Sequence, residues 1–140
     1  MADTPQHVDA KYAISVKGVL FRASSVLMLL NGRDEFELPG GRLELSESVE
    51  EALIREIREE TGLVSTIDSY ASSGLFEVVP GKHVFVIAFK CTAEQGAVQL
   101  SAEHRDAHWI GWKDLGNSKI PDFYRRIVRL ARSSYKPLET

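Results

Sequence analysis

The chain has 140 residues, of which 44% are hydrophobic and 26% are charged, and its formal net charge is -3 at pH 7. This composition predicts one globular domain, and the slightly negative charge gives no overall attraction to nucleic acid or to an anionic membrane. The single cysteine, Cys91, excludes an internal disulfide and fits a reducing cytoplasm. We expect a cytoplasmic protein, because the first twenty residues lack a signal-peptide pattern and the longest apolar run, Val26 to Leu30, is too short to span a bilayer.

The first third of the chain contains a tail and three predicted strands. Residues 1–10 are polar and include a proline, so we expect a flexible tail before a single domain that spans residues 11–135. The strands are predicted where apolar and β-branched residues are concentrated, at residues 12–21, 26–30 and 36–38.

A helix is predicted at about residues 48–61, with a recognisable start and stop. Pro-Gly-Gly at residues 39–41 ends the preceding strand and begins a loop. Ser48 fits the N-cap of a capping box in which Glu51 is at the N3 position. Gly62 supplies the C-terminal stop.

The second half of the chain is predicted to form a hairpin, a short strand and a closing amphipathic helix. In chain order, these elements are strands 64–79 and 83–92, a polar loop 93–107, a strand 108–112 and a helix 122–134. Strands mixed with two helices, without a long linker or a repeat, predict a single layered α/β domain.

Three glutamates near the end of the first helix face the same side as its apolar stripe. At about 100° per residue, Glu56, Glu59 and Glu60 are centred on the stripe that Val49 and Leu53 mark. Carboxylates on a core-facing side are costly unless they are paired or bind a metal, and carboxylate oxygens are ligands that Mg²⁺ prefers. The alternative is an ordinary solvated helix face, in which a nearby arginine pairs with the glutamates.

Residues 41–63 resemble the Nudix box, G-x5-E-x7-R-E-U-x-E-E-x-G-U, at every specified position. The matching residues are Gly41, Glu47, Arg55, Glu56, Ile57, Glu59, Glu60, Gly62 and Leu63. The resemblance implies a Nudix-type α/β/α sandwich with a mixed β-sheet, in which the box forms a loop, a helix and a loop. Ser46 departs from the family pattern, because many members have glycine there.

The same resemblance implies a hydrolase that cleaves the pyrophosphate bond of a nucleoside diphosphate linked to another group, with Mg²⁺ or Mn²⁺ as its cofactor. The implied metal ligands are the carbonyl of Gly40 and the carboxylates of Glu56, Glu59 and Glu60. Glu47 and Gly41 are expected to support this site, and Arg55 is expected to orient the glutamates through salt bridges.

Two candidates for the general base stay open, a box glutamate and Glu103. Glu103 lies in a loop before a late Trp-containing strand, where members of the family commonly have a base. An exposed loop glutamate explains Glu103 equally well. His104 and His108 could act instead, although a structural or exposed histidine is the more common case. Arg33 could hold a phosphate, but a solvated arginine is the simpler interpretation.

The box does not identify the substrate, because selectivity comes from residues outside it. ADP-ribose or another sugar nucleotide, an NTP and a dinucleoside polyphosphate all stay open. A nucleotide-sensing module without turnover is expected to have lost box glutamates, and RNA decapping needs an RNA-binding surface that the sequence does not indicate. We therefore expect a small nucleotide as the partner, with no nucleic acid and no membrane. The oligomeric state stays open, and a homodimer is one candidate because two-fold dimers are common among soluble proteins.

Overall fold

The computed structural model describes residue 7 and residues 9–135, so most of the tail predicted for residues 1–10 lies outside the described residues. The elements in chain order are β1 (Ala13–Arg22), β2 (Ser25–Leu30), β3 (Phe36–Glu37), β4 (Gly40–Arg42), α1 (Val49–Thr61), β5 (Ser65–Val79), β6 (Lys82–Ala93), β7 (Asp106–Gly111), a 3-10 turn (Trp112–Asp114) and α2 (Asp122–Arg132). No helix among these residues is long and apolar enough to cross a membrane.

The strands form one mixed sheet with the order β3-β2-β1-β6-β5, while β4 pairs with β1 and β7 pairs with β2. The β1–β6 pair is parallel and the other pairs are antiparallel. One edge of β1 is divided between two partners, because Phe21 and Arg22 pair with β2 whereas residues 15–17 pair with β4. The chain from β3 to β4 therefore passes from β2 to β1, and it places Gly40 opposite Lys17.

The two helices cover opposite faces of the sheet. Side chains alternate along a strand, so β1 directs Val16 and Leu20 towards α1 and directs Val19 towards α2. Ile57 of α1 and Val128 of α2 are buried in the two resulting cores. This α/β/α arrangement with a mixed sheet is the fold class that the sequence predicts.

Helix α1 occupies the predicted segment, and its predicted ends are confirmed. Ser48 is the N-cap, and its hydroxyl accepts a hydrogen bond from the N–H of Glu51 at 3.1 Å. Gly62 ends the helix with φ 74° and donates its N–H to the carbonyl of Arg58.

The main local difference from the prediction is β4. Residues 40–42, where a loop was expected, form a short strand. Their backbone groups find hydrogen-bond partners on β1, more than 20 residues away in the sequence, which local sequence patterns do not reveal.

Candidate active site

The two glycines of β4 allow its backbone to lie against β1 and α1. Gly40 has φ 140°, and a Cβ there would collide with the backbone carbonyl of Val16. A Cβ on Gly41 would lie 2.5 Å from Cδ of Glu56. The absence of both side chains brings backbone amide and carbonyl groups close to the carboxylates of α1.

The three box glutamates differ in how deeply they lie. The side chain of Glu59 is 59% exposed, that of Glu56 is 16% exposed and that of Glu60 is 4% exposed. Glu60 follows the fully buried Ile57 by one helical turn, so its side chain is carried towards β4. Its Oε1 accepts a hydrogen bond from the N–H of Gly40 at 3.2 Å.

The second oxygen of Glu60 has an unusual environment. Oε2 is buried and has no hydrogen-bond partner among the residues that the structure describes. Burial disfavours the charged form and raises the pKa of Glu60 to about 8, although the nearby charges of Lys17 and His104 act in the opposite direction. A buried carboxylate oxygen without a partner is a favourable position for a cation.

Arg55 links α1 to the loop that precedes it. Its guanidinium forms a two-point ion pair with Glu47, with distances of 2.6 Å from Nε to Oε2 and 2.8 Å from Nη2 to Oε1. Nη1 also contacts Glu56 at 3.0 Å and Glu59 at 3.1 Å. The hydrogen bonds between Arg55 and Glu47 are the largest cause of both pKa shifts: they raise the pKa of Arg55 and lower the pKa of Glu47. Arg55 therefore offsets the repulsion between neighbouring carboxylates.

A histidine from the loop before β7 closes the buried side of the site. Nε2 of His104 lies 2.6 Å from Oε1 of Glu37, and Nδ1 lies 3.6 Å from Oε2 of Glu60. Only 5% of the His104 side chain is exposed. The hydrogen bond with Glu37 raises the pKa of His104.

Glu37 is ionised in this arrangement. Burial by itself would raise its pKa, but the hydrogen bond from His104 and the charge of Lys17 outweigh burial and lower the pKa of Glu37 to about 2. An ionised carboxylate only accepts hydrogen bonds, so we assign the proton to Nε2 of His104, which donates to Glu37.

The loop that carries Glu103 and His104 is attached to the site at both ends. The N–H of Ser101 donates to the carbonyl of Glu60 at 3.2 Å, and the N–H of Arg105 donates to the carbonyl of Leu30 at 2.9 Å. Glu103 is exposed between these attachments and lines the same cleft as the box glutamates.

The cleft has a volume of about 540 Å³ and is open to solvent on the side of Glu59 and Glu103. All the predicted site residues except Glu47 line it, and Glu47 reaches it through Arg55. A larger cavity of about 650 Å³ lies at the carboxyl end of β1, around Arg22 and Trp109, and it contains none of the box residues.

The donor atoms of the cleft fit a divalent cation. No three His, Cys, Asp or Glu side chains surround a common point in the described ranges, and Glu56 and Glu59 both contact Arg55. The cleft nevertheless offers carboxylate oxygens and the backbone carbonyl of Gly40, which are the hard ligands that Mg²⁺ binds. The unpartnered oxygen of Glu60 lies among them. The carbonyl of Gly40 also accepts a hydrogen bond from Nζ of Lys17 at 3.4 Å.

Two residues considered from the sequence lie outside this cleft. His108 is exposed and pairs with Asp106 at 2.9 Å, and Arg33 is exposed and pairs with Glu35 at 3.4 Å. His104, by contrast, is central to the buried side of the site. Its contact with Glu37, 67 residues away, had no local signal in the sequence beyond its position beside Glu103.

Comparison with known proteins points to one family. The family profile described as NUDIX domain matches residues 11–131. An ADP-ribose pyrophosphatase of Methanocaldococcus jannaschii is 32% identical over 126 residues, which cover 84% of this chain and 71% of that protein. A nucleoside triphosphatase, NudI, of Escherichia coli is 29% identical over 110 residues, which cover 69% of this chain and 75% of that protein.

A solved structure supports the same conclusion at the level of the fold. The crystal structure of a MutT protein from Methanosarcina mazei Go1 superposes with a TM-score of 0.79 at 28% sequence identity, and the match covers 93% of this chain and 100% of that one. This likeness confirms the predicted fold type.

Proposed function

Because this chain belongs to the Nudix hydrolase family, we propose that it hydrolyses a pyrophosphate bond in a nucleoside diphosphate linked to another group, and that it requires Mg²⁺ or Mn²⁺. One observation carries the proposal: the complete box places the buried carboxylate of Glu60 in an open cleft, where Oε1 accepts from the N–H of Gly40 and Oε2 has no hydrogen bond among the described residues. An ordinary solvated helix face would leave all three glutamates exposed.

We assign the site residues by what their atoms contact. The proposed metal ligands are the carbonyl of Gly40 and the carboxylates of Glu56, Glu59 and Glu60. Arg55 and Glu47 position two of these carboxylates, and Gly41 leaves room for the Glu56 side chain. A bound divalent cation neutralises pyrophosphate charge and makes water a better nucleophile.

We propose Glu103 as the general base, with a box glutamate as the alternative. Glu103 is exposed, lines the same cleft as the box glutamates and lies on a loop that is attached to α1, so it can contact a water molecule that approaches the substrate from solvent. The structure holds the buried carboxylate of Glu60 against Gly40, which favours a ligand role for that residue.

The substrate class is tested directly with the purified protein. ADP-ribose, other sugar nucleotides, NTPs and dinucleoside polyphosphates are incubated with Mg²⁺ or Mn²⁺, and the products are identified by mass spectrometry. The names of the two relatives make ADP-ribose and NTPs the first substrates to test. Binding of these nucleotides without any product would contradict the proposal and would favour a sensing module.

The assigned glutamates have their own test. Glu59→Gln and Glu60→Gln should each lower kcat by more than about 100-fold with the fold retained, since the loss of a ligand exceeds the 10- to 100-fold cost of losing a supporting group. Glu50→Gln, on the exposed side of α1, is the matched control and should keep normal turnover. Near-normal kcat in both site variants would refute their assigned roles.

The remaining expectations are also proposals. Residues 11–135 form a single catalytic domain, which the family match over residues 11–131 and the two cores on one sheet support. The proposed partner is a small nucleotide in the cytoplasm, with no nucleic acid. The homodimer stays a prediction, and light scattering on the purified chain would measure it.

A further inference from the structure

We propose that Glu37 and His104 form a positioning pair that holds the carboxylate of Glu60 in its orientation towards the cation. This inference rests on the proposed function, in which Glu60 is a metal ligand. His104 and Glu37 lie outside the box, and their part in the site is visible only in the folded chain.

The first step is that Glu60 is held on one side only. Oε1 is tied to the N–H of Gly40, whereas Oε2 has no hydrogen bond among the described residues. The atom beside Oε2 is Nδ1 of His104, 3.6 Å away, which is itself buried without a partner in the same part of the chain. The imidazole ring therefore lies on one side of Oε2 and limits how far the carboxylate can turn in that direction.

The second step is that the ring is itself fixed. Its Nε2 donates to Glu37 at 2.6 Å, and the other oxygen of Glu37 accepts from Nδ2 of Asn31 at 3.3 Å. Asn31 is buried and its Oδ1 accepts from the N–H groups of Arg33 and Glu35 at 2.9 and 3.1 Å. A continuous series of hydrogen bonds thus runs from the β2–β3 turn to the ring.

The third step is that the backbone around the ring is anchored as well. The N–H of Ser101 donates a hydrogen bond to the carbonyl of Glu60, whose side chain the ring contacts. The N–H of Arg105 donates to the carbonyl of Leu30. The ring is almost completely buried, whereas Glu103 beside it faces the open cleft. This geometry gives His104 a positioning role and leaves contact with water and substrate to its exposed neighbour.

The test measures Mn²⁺ binding to the free protein by electron paramagnetic resonance. His104→Leu and Glu37→Leu should each weaken Mn²⁺ binding by about 10-fold or more, as expected when a ligand loses its support. His104→Gln should retain most of the affinity, because its amide nitrogen can replace Nε2 as the donor to Glu37. His108→Leu, which removes an exposed histidine of the next strand, should bind as the wild type does.

The double variant decides whether Glu37 acts through His104. If it does, Glu37→Leu combined with His104→Leu should bind Mn²⁺ no more weakly than the weaker single variant. Turnover of His104→Leu should also recover as the Mn²⁺ concentration is raised, which a directly catalytic histidine would not allow. Additive losses in the double variant, or unchanged affinity in both single variants, would overturn the inference.

Two controls keep the outcome interpretable. If wild-type protein binds no Mn²⁺, the proposed function itself fails, whereas normal wild-type binding with unaffected variants refutes only the positioning pair. If a leucine variant does not fold, as judged by thermal unfolding in EDTA, the comparison becomes His104→Gln against His104→Asn. Asparagine is too short to reach Glu37, so equal Mn²⁺ affinity in these two variants would also overturn the inference.

Discussion

At the scale of single residues, Glu60 lowers the stability of the protein without metal because its carboxylate is buried. The same carboxylate is a metal ligand in the proposed site. Its carboxylate lies in a buried position beside Gly40, and one oxygen lacks a hydrogen bond within the described chain. Burying an ionised group in this way is unfavourable, which is why its pKa is raised to about 8. A cation would offset that cost, so the buried carboxylate of Glu60 is well placed to act as a ligand.

The raised pKa of Glu60 predicts a pH dependence of stability. The folded-state value of about 8 lies above the ordinary value of 4.5, so the folded chain binds more protons than the unfolded chain between these limits. The free energy of unfolding should therefore fall as the pH rises through this range, and the penalty from Glu60 is absent below pH 4.5 and complete above pH 8.

The variant Glu60→Gln isolates this contribution. Urea unfolding in EDTA should show that the variant gains on the order of 4 kcal/mol relative to the wild type between pH 5 and pH 8.5. Parallel pH profiles for the two proteins would show that Glu60 titrates normally in the fold.

Ser46 predicts a stabilising substitution. It is exposed and has φ 71°, a left-handed conformation that costs a residue with a Cβ about 1 kcal/mol. Ser46→Gly relieves this strain but increases the entropy of the unfolded chain, so we expect a net gain of about 0.5 kcal/mol in the free energy of unfolding. Ser46→Ala keeps the Cβ and should show no such gain in the same denaturation assay.

At the scale of elements, β4 is the part of the fold that makes the site. It pairs with β1 on one side and its backbone faces the glutamates of α1 on the other. The helix supplies the carboxylates and the strand supplies the backbone groups between which they lie. A change in β4 should therefore affect the site more than its small length suggests.

Gly41→Ala tests this coupling between strand and helix. The new Cβ would meet the Glu56 carboxylate at 2.5 Å and displace it, so turnover with Mg²⁺ should fall by about 10-fold or more. Gly116→Ala is the matched control, because a Cβ there meets no atom within 4 Å, and its turnover should be normal. Equal kcat and KM values in the two variants would show that β4 does not influence the site.

At the scale of the whole molecule, the site lies where the edge of β1 changes partner from β4 to β2. The helices pack on opposite faces of the sheet, and each has its own core. The cleft then receives groups from five places: β3, β4, the loop between β4 and α1, α1 itself and the loop before β7. Such a site is ordered only when the entire sheet is folded.

Metal binding should therefore stabilise the whole fold. At a Mg²⁺ concentration of about 100 times Kd, the free energy of unfolding should rise by about 2.7 kcal/mol, because the unfolded chain does not assemble these ligands. Urea unfolding with and without Mg²⁺ measures this increase. The free energy of unfolding of Glu60→Gln should increase much less when Mg²⁺ is added. An equal increase in both proteins would show that Mg²⁺ binds outside the proposed site.

The elements that the sequence predicted well are those with local signals. Ser48 and Gly62 bound α1 as expected, because capping depends on side chains and φ angles within a few residues. The long hairpin also formed close to its predicted limits, as β5 and β6. Two strands differ from the prediction: residues 40–42 form β4 in place of a loop, and β7 begins at Asp106, two residues before its predicted start, because Asp106 pairs with Leu30 of β2.

The sequence by itself determined the box, the helix that carries it and the side of that helix on which the three glutamates lie, because spacing along one helix sets their relative phase. Only the tertiary structure decided how deeply each of them is buried and which partners surround them. Glu60 is buried because β4 and the loop before β7 close over it, and His104 meets Glu37 because β3 and β7 both pair with β2. Burial and long-range pairing depend on the packing of the whole chain, so no local pattern in the sequence could encode them.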